Sequence, residues 1–249
     1  MGLIGGLDSL TKELVSIADA DVQVINRFLK EKGFDIQLPP APAGSFSVAS
    51  VLNILVEWLK EGIVTQVRNY NSGMLHDAVK LKEGVQLYRS FKDEPIVCIR
   101  TKSGDIVWIT IVRDIPETRF GIMEVIKDAE VVMDAGFVAA DRDHEGVIFP
   151  MIDYNQFVDI SWIEHMRVTD DWYIDKALQQ TKFRMNEKGA RAESAVAMTL
   201  RLCCCAPQNR SPVIINDTFV LWIERPGVEF PVFAGVFAED VWNKPANLD

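Results

Sequence analysis

A run of small residues directly after a strand-like segment is the feature that most constrains what this chain can fold into. Residues 181–185 have the composition of a strand, and residues 186–199 read Asn-Glu-Lys-Gly-Ala-Arg-Ala-Glu-Ser-Ala-Val-Ala-Met-Thr. Strands normally carry β-branched or aromatic side chains, so this run is typical of a segment that is mobile in one state and fits between two close-packed strands in another. The two-residue period of a strand would place on one inward face Ala190, Ala192, Ser194 and Val196. An amphipathic helix is the alternative, but the run has neither a helix cap nor a clear apolar stripe.

Length and composition allow a large buried core and argue against several classes of partner. The chain has 249 residues, of which 48% are hydrophobic, enough for one large domain or two small ones. Lys and Arg total 26 against 36 Asp and Glu, and the net charge of −10 argues against binding to nucleic acid or to anionic surfaces. No uncharged apolar run reaches the length of about 18 residues that a membrane span needs, so none is expected.

The cysteines indicate a reducing compartment. Cys98 stands alone, and Cys203, Cys204 and Cys205 are consecutive, unlike the spaced cysteines of a disulfide framework. Three adjacent thiols in an exposed loop would cross-link in an oxidising space, so we expect a cytoplasmic protein. Zinc binding is the alternative, but three consecutive sulfurs fit one tetrahedron poorly, and we expect no metal and no other cofactor. The first residues lack the basic region of a secretory signal; secretion, with a signal peptide absent from this sequence, stays the other possibility.

The hydrophobic pattern predicts helices first and strands afterwards. Apolar residues recur at three- and four-residue spacing over 7–30. A second helix is expected to follow, capped by Ser45 or Ser47, with a broad apolar face that reaches Leu59. Further helices are expected at 117–135 and 155–166, and strands at 85–88, 96–99, 106–112, 146–152, 172–185 and 213–237. Helices followed by strands favour an α+β fold over an alternating parallel sheet.

No catalytic motif is present, so we expect no enzyme activity and no catalytic residue. His76, His144 and His165 lie in no Ser- or Cys-centred pattern, and the chain has neither a nucleophile elbow nor a phosphate-binding loop. The cluster Asp141-Arg142-Asp143-His144-Glu145 could suggest metal or acid–base chemistry, but a solvated turn before a strand explains it more simply.

Four segments together resemble the serpin family. Residues 186–199 resemble the hinge of the serpin reactive loop, whose pattern is Asn-Glu-(Glu/Lys)-Gly-Thr-Glu followed by alanines. Residues 213–223 and 230–236 are similar to the last two barrel strands of that family, and residues 46–51 resemble the Phe-Ser-Pro-x-Ser-Ile motif that opens its buried second helix. Order and spacing agree best over the C-terminal part, residues 148–249.

The resemblance implies a single, reduced serpin-like domain over residues 1–249. Serpins are considerably longer, so several helices and part of the central sheet would be missing; a viral origin would fit so reduced a member. The implied reactive-centre loop covers about 187–212, with hinge residues Glu187, Gly189, Ala190, Ala192 and Ser194 and a shutter-like pair, Ser50 and Gln179. Ala190 stands where the family usually has Thr or Ser, Arg191 where it has Glu, and Gln179 where it commonly has His, which unlike an amide titrates near pH 7.

The function that the resemblance implies is inhibition of a serine or cysteine protease, with insertion of the loop after cleavage. The reactive bond is expected within 201–207, among Arg201, Leu202, Cys203, Cys204 and Cys205; counting from Glu187 favours Cys203–Cys204, and counting back from Phe219 points nearer Pro207. The alternative is a non-inhibitory, serpin-derived interaction or structural protein. Neither the target protease nor the oligomeric state follows from the sequence.

Overall fold

The structure, a computed structural model, divides the chain into two compact units: Met1–Ile54 with Tyr154–Phe183, and Leu55–Asp153 with Arg184–Asp249. It describes residues 14–40, 42, 45, 47–52, 54, 56–89, 94–114, 121–135, 144–167, 169, 173–190, 211–246 and 248. Within these residues no helix is long and apolar enough to span a membrane. The single domain expected from the resemblance stays a prediction.

Two antiparallel strands carry a helix in the first unit. Strand β1 (Leu14–Asp19) pairs with β2 (Ser47–Leu52), from Leu14 opposite Leu52 to Asp19 opposite Ser47. Helix α1 (Val22–Glu31) begins after Asp21, whose carboxylate accepts the backbone N–H of Gln23 as an N-cap. The helix covers one face of the strand pair, where the buried cluster contains Ile25, Leu29, Ile36, Ala49 and Val51.

The predicted helix over 7–30 is therefore only partly correct. Its second half is α1, but residues 14–19 form β1, and residues 7–13 lie outside the described part of the chain. Apolar residues in a short segment fit a strand and a helix almost equally well. Pairing with β2 decides for the strand, because it satisfies the backbone groups of both segments at once.

The predicted helix from Ser47 is wrong. Residues 47–52 form β2, and Val56–Glu57 form the short strand β3. Val48 and Val51 are β-branched, which favours a strand, and one side of β2 packs Ala49 and Val51 against α1. The apolar residues of this segment fit both the 3.6-residue period of a helix and the two-residue period of a strand. The elements that it packs against decide between helix and strand.

The remaining elements follow in chain order. They are β4 (Ile63–Arg68), β5 (Leu75–Leu81), β6 (Val85–Arg89), β7 (Pro95–Arg100), β8 (Ile106–Ile111), α2 (Gly121–Asp134), β9 (His144–Pro150), β10 (Ile152–Val158), β11 (Gln179–Met185), β12 (Gly189–Ala190), β13 (Ser211–Ile214), β14 (Phe219–Glu224) and β15 (Phe233–Phe237). The predicted strands around 85–112 and the helix within 117–135 are confirmed. The helix predicted over 155–166 is wrong: β10 runs to Val158 and only a 3-10 turn, Ser161–Ile163, follows.

The second unit is built on two sheets. An antiparallel sheet has the order β15-β14-β8-β7-β6, and its buried cluster includes Trp108, Trp222 and Ile126 of α2. The other sheet has the order β13-β9-β5-β4, parallel between β13 and β9 and antiparallel elsewhere. Gly146 of β9 has φ +79° and lies so close to the carbonyl of Leu81 that an added Cβ would be 1.9 Å from its oxygen.

A histidine on β5 contacts residues near the C-terminus. His76 Nδ1 lies 3.1 Å from the carbonyl oxygen of Trp242, and its Nε2 lies 2.7 Å from the carboxylate of Glu239. The Ser72 hydroxyl donates to the same carboxylate oxygen at 2.5 Å. The hydrogen bond from Ser72, followed by that from His76, lowers the pKa of Glu239.

Stability should therefore fall in acid through Glu239. Its lowered folded-state pKa means that the ionised carboxylate stabilises the fold above the unfolded-state pKa of about 4.3, and that this contribution disappears as the pH falls through the folded-state value. We expect Glu239→Gln to lower the melting temperature more at pH 7 than at pH 3, as measured by thermal unfolding at both pH values. Asp240→Asn, at an exposed neighbour, is the control. An equal loss at both pH values would contradict the assignment.

Candidate functional site

The predicted hinge forms a tight turn between β11 and β12. The backbone N–H of Asn186 donates to the carbonyl of Gly189 at 2.9 Å, and the Asn186 side-chain oxygen accepts the N–H of Lys188 at 2.8 Å. Asn186 is buried, so its own side chain satisfies the turn in place of water. We call residues 186–190 the hinge turn.

The hinge turn is held by residues 56–62 of the same unit. The indole Nε1–H of Trp58 donates to the backbone carbonyl of Asn186 at 2.9 Å. The backbone N–H of Trp58 donates to the backbone carbonyl of Lys188 at 3.2 Å. The N–H of Gly62 donates to the Glu187 carbonyl at 2.7 Å. Three donors from one short segment thus bind three successive hinge carbonyls.

The next two hinge residues already form a strand. Gly189 lies opposite Glu57, and Ala190 lies opposite Val56, in an antiparallel ladder between β12 and β3. A Cβ on Gly189 would lie 2.2 Å from the Val56 carbonyl oxygen, so this approach requires glycine. The close packing explains why a glycine precedes the small-residue run.

Ala190 departs from the expectation of an exposed, mobile segment beginning at this residue. Its exposed fraction is 4%, so the first small residue is buried against β3 in the intact chain. Burial of Ala190 agrees with its predicted inward face. Ala192, Ser194 and the reactive-bond residues lie outside the described residues, namely Arg201, Leu202, Cys203, Cys204 and Cys205.

Glu187 opposes this docking. Its Oε2 is buried and has no hydrogen-bond partner among the residues that the structure describes. A buried carboxylate oxygen without a donor costs free energy, and water would satisfy it if the hinge turn opened. The backbone hydrogen bonds thus stabilise the hinge turn, and the buried Glu187 carboxylate destabilises it.

Ser50 and Gln179 do not form the predicted buried shutter. Ser50 lies exposed on β2, where its hydroxyl is 2.8 Å from the hydroxyl of Ser16 on β1. Gln179 is exposed at the start of β11, and its amide donates to the hydroxyl of Thr181 at 3.1 Å. No hydrogen bond joins the two residues in the described structure. The predicted shutter placed Ser50 on a buried helix, but residues 47–52 form strand β2. Ala49 and Val51 face α1, so the alternation of the strand places Ser50 on the opposite face.

The adjacent Gln180 forms a buried polar cluster that the sequence interpretation missed. Its side-chain oxygen accepts the N–H groups of Asp35 and Ile36, at 2.8 and 3.1 Å. Its amide donates to the carboxylate of Asp35 at 3.2 Å and to the side-chain oxygen of Asn155 at 2.8 Å. Two consecutive glutamines give no sequence signal for which one is buried, because the three segments that meet here are far apart in the chain.

Other candidate chemistry finds no support in the described residues. No three His, Cys, Asp or Glu residues there are close enough to hold a metal ion. Hydrogen bonds from Lys82 and then Lys80 lower the pKa of Glu145 to about 2, which makes it a partner of two lysines rather than a base. Burial raises the pKa of the Cys98 thiol to about 11, so this cysteine is a core residue of β7.

The Trp58 hydrogen bond gives a direct test of the hinge attachment. Trp58→Phe leaves the buried Asn186 carbonyl unpaired at a cost of about 1–3 kcal/mol, so we expect amide exchange at residues 187–190 to rise about tenfold or more. Trp108→Phe is the matched control, because the Trp108 Nε1 is buried without a partner among the described residues. A similar rise in both variants would contradict the attachment.

Comparison with known proteins identifies the fold. No protein-family model and no curated protein sequence matches the chain. The structure is similar to Serpin48 of the insect Tenebrio molitor, a highly specific serpin, with 14% identity over 94% of this chain and 79% of that one and a TM-score of 0.60. It is similar to mouse protein-Z dependent protease inhibitor, with 13% identity over 90% and 63% of the two chains and a TM-score of 0.56.

Human thyroxine-binding globulin in complex with thyroxine is a third similar structure, with 10% identity over 87% of this chain and 63% of that one and a TM-score of 0.57. The chain thus spans less than two thirds of the length of the inhibitor and of the globulin. The predicted α+β fold, serpin-like and reduced in size, is confirmed.

Proposed function

We propose that this protein is a serpin-like protease inhibitor that presents the loop of about residues 187–212 to a serine or cysteine protease and then inserts it. The ladder between β12 and β3 is the observation that carries the proposal. Gly189 and Ala190, the first residues of the loop, are already paired as a strand before any cleavage. The loop is thus attached at the end from which insertion would begin.

Counting onward in the β12–β3 register gives the inserted arrangement. Because Gly189 lies opposite Glu57 and Ala190 opposite Val56, insertion would continue this antiparallel ladder beyond Ala190. Among the described residues, β2 pairs with β1 and β11 pairs with β10, so each of these two strands has one neighbouring strand. An arm of small side chains suits insertion as a new strand between close-packed neighbours.

The proposed reaction is the protease's own peptide-bond cleavage, stopped after acylation and before hydrolysis of the acyl-enzyme. The protease nucleophile attacks the scissile carbonyl within 201–207, the amine of the following residue leaves, and an acyl-enzyme remains on the loop. Insertion would then displace the attached protease: the 14 residues from Ala190 to Cys203 span roughly 48 Å when extended. The chain supplies no catalytic group in this scheme, consistent with a non-enzyme.

A panel of proteases tests the proposal. Arg201 suits a trypsin-like enzyme, and Leu202 suits a chymotrypsin- or cathepsin-like one. An inhibitory loop should give a complex with one of these proteases that survives SDS, with the cut mapped to residues 201–207 by mass spectrometry. Rapid turnover of the loop by every protease, with no trapped complex, would exclude inhibition by this route.

A non-inhibitory interaction protein is the second candidate. The observation in its favour is the face of β1 and β2 opposite α1, where Ser16, Ser50 and Val48 are exposed. No described residue covers this face, so an inserted strand would gain little apolar burial there. The loop would then act only as a binding epitope, without insertion.

A further inference from the structure

Strand β4 lies at the edge of its four-stranded sheet. The backbone N–H and C=O groups of its odd-numbered residues point toward β5, and those of its even-numbered residues point away from the sheet. The N–H of Asn69 donates to the carbonyl of Met74 at 2.9 Å, in line with the register that pairs Arg68 with Leu75. In an antiparallel ladder, every second residue makes such bonds to its neighbour. The odd residues Ile63, Thr65 and Val67 therefore bond to β5, and the even residues point their N–H and C=O groups away from the sheet.

This outer edge is closed at both ends and open in the middle. The N–H of Gly62 donates to the carbonyl of Glu187 at 2.7 Å, and the N–H of Tyr70 donates to the carbonyl of Asn216 at 2.8 Å. Between them the outward N–H and C=O groups of residues 64, 66 and 68 have no partner among the described residues. The edge thus offers a window of six backbone groups.

Apart from Arg68 at one end, the window lacks the features that keep sheet edges apart. Natural edge strands are protected by charged residues, proline or bulges. From Ile63 to Val67 this strand is Ile-Val-Thr-Gln-Val, with no charge and no proline, and its ladder to β5 is unbroken. Ile63 and Val64 point to opposite sides of the sheet, yet they are 57% and 51% exposed.

We propose that β4 pairs antiparallel with β4 of a second copy of this chain, about a two-fold axis at Gln66. Outward groups can bond only to outward groups, so even residues must face even residues. In the arrangement that uses the whole window, Gln66 faces Gln66 of the other copy and Val64 faces Arg68. Six hydrogen bonds form, and no like charges lie opposite each other. The result is one continuous eight-stranded sheet with an isologous interface.

The closed ends set the length of this pairing. In the same register Tyr70 of one copy comes opposite Gly62 of the other, where Glu187 already lies. Tyr70 is four residues, about 13 Å, from the axis, and a twist of about 20–25° between neighbouring strands displaces it by about 5 Å out of the plane. This displacement is about one strand spacing, so the chains pass each other and pairing stays within residues 64–68.

Charge predicts the salt dependence of this association. Each copy carries a net charge of −10, and in the proposed register the paired strands form no ion pair between the copies. Long-range repulsion between the copies is screened by salt, whereas backbone hydrogen bonds are not. The association should therefore become tighter, by about threefold or more, between low and physiological ionic strength.

Sedimentation equilibrium of the full chain, with Cys203, Cys204 and Cys205 replaced by Ser, tests the proposal. We expect a concentration-dependent dimer. Gln66→Lys and Gln66→Glu should each weaken it at least tenfold, because like charges then meet on the axis, and mixing the two variants should restore it. Neither change touches the backbone bonds to β5, so Gln66→Lys should keep a melting temperature close to that of the parent chain. Gln66 lies opposite Asp77 of β5, so Gln66→Glu should show a small decrease from the two like charges.

Disulfide trapping checks the register itself. Residues in a hydrogen-bonded antiparallel pair have Cα atoms about 5.5 Å apart, so Gln66→Cys should cross-link two copies on mild oxidation. Thr65→Cys, which faces residue 67 of the other copy, is the matched control and should cross-link far less. A monomer at all concentrations, a dimer unaffected at residue 66, or equal cross-linking at 65 and 66 would each overturn the proposal; an extended segment of another protein would then be the remaining occupant of the edge.

Discussion

Cutting the loop within residues 201–207 should raise the melting temperature by about 10 °C or more, because the freed arm adds a central strand. Under the proposed insertion, the freed arm would extend the β12–β3 ladder beyond Ala190. Each new backbone hydrogen bond contributes about 0.5–1.5 kcal/mol, and 1 kcal/mol corresponds to about 2–4 °C in a chain of this size. Calorimetry of the intact and the cut protein, with the cut bond identified by mass spectrometry, measures the difference.

Variants at the start of the arm separate insertion from a simple release of strain. Ala192→Arg would force a charge into the predicted inward face of the inserted arm, so the gain on cutting should disappear. Ala190 is already buried opposite Val56 in the intact chain, so Ala190→Arg should lower the melting temperatures of the intact and the cut protein alike. Arg191→Ala lies on the other face by strand alternation and should keep the gain. An unchanged melting temperature after cutting the parent chain would rule out insertion and leave the loop as a binding epitope.

Replacing Arg225 with Met should destabilise the protein by about 3–5 kcal/mol, because it leaves a buried carboxylate without its partner. Arg225, just after β14, donates from Nε and Nη2 to the two carboxylate oxygens of Asp105, each at 2.8 Å. The Asp105 side chain is 2% exposed and ends the turn between β7 and β8. Urea unfolding would report the loss as a lower midpoint at unchanged slope.

Two further variants show whether burial causes this effect. The double change Arg225→Met with Asp105→Leu removes both charges and should recover most of the lost stability. Lys60→Met breaks the exposed pair with Glu83, whose side chains are 66% and 57% accessible, and should cost less than about 1 kcal/mol. If Arg225→Met cost no more than Lys60→Met, the pair would not be a buried anchor.

Local patterns predicted the elements whose partners are close in the chain. Strands β7 and β8 are joined by a short turn with Gly104 at φ +89°. Both strands and the turn are therefore contiguous in the sequence, where a local pattern can identify the hairpin. Helix α2 is long enough for its period to be unambiguous. The glycine of the hinge turn was also readable, since a residue without Cβ before a run of small side chains indicates close backbone approach.

Distant pairing is where local patterns failed. Residues 14–19 and 47–52 were each interpreted as helix, and each is a strand only because the other is present. Ser50 was thereby given a buried role, although it is exposed beside Ser16, whereas Gln180 is a buried polar residue in the described part of this unit. A glutamine becomes a core residue only when the groups that bond it have been assembled, and no local rule contains that information.

The sequence by itself determined the fold class, the glycine at position 189 and the small residues that follow it, because these depend on residue volume and on short-range periodicity. Tertiary structure alone decided that the hinge is already docked. The indole of Trp58 reaches the Asn186 carbonyl across 128 residues of chain, and Gly62 reaches Glu187 in the same way. Such contacts depend on the sheet that brings both segments together, and the sheet forms only when every strand has its partner.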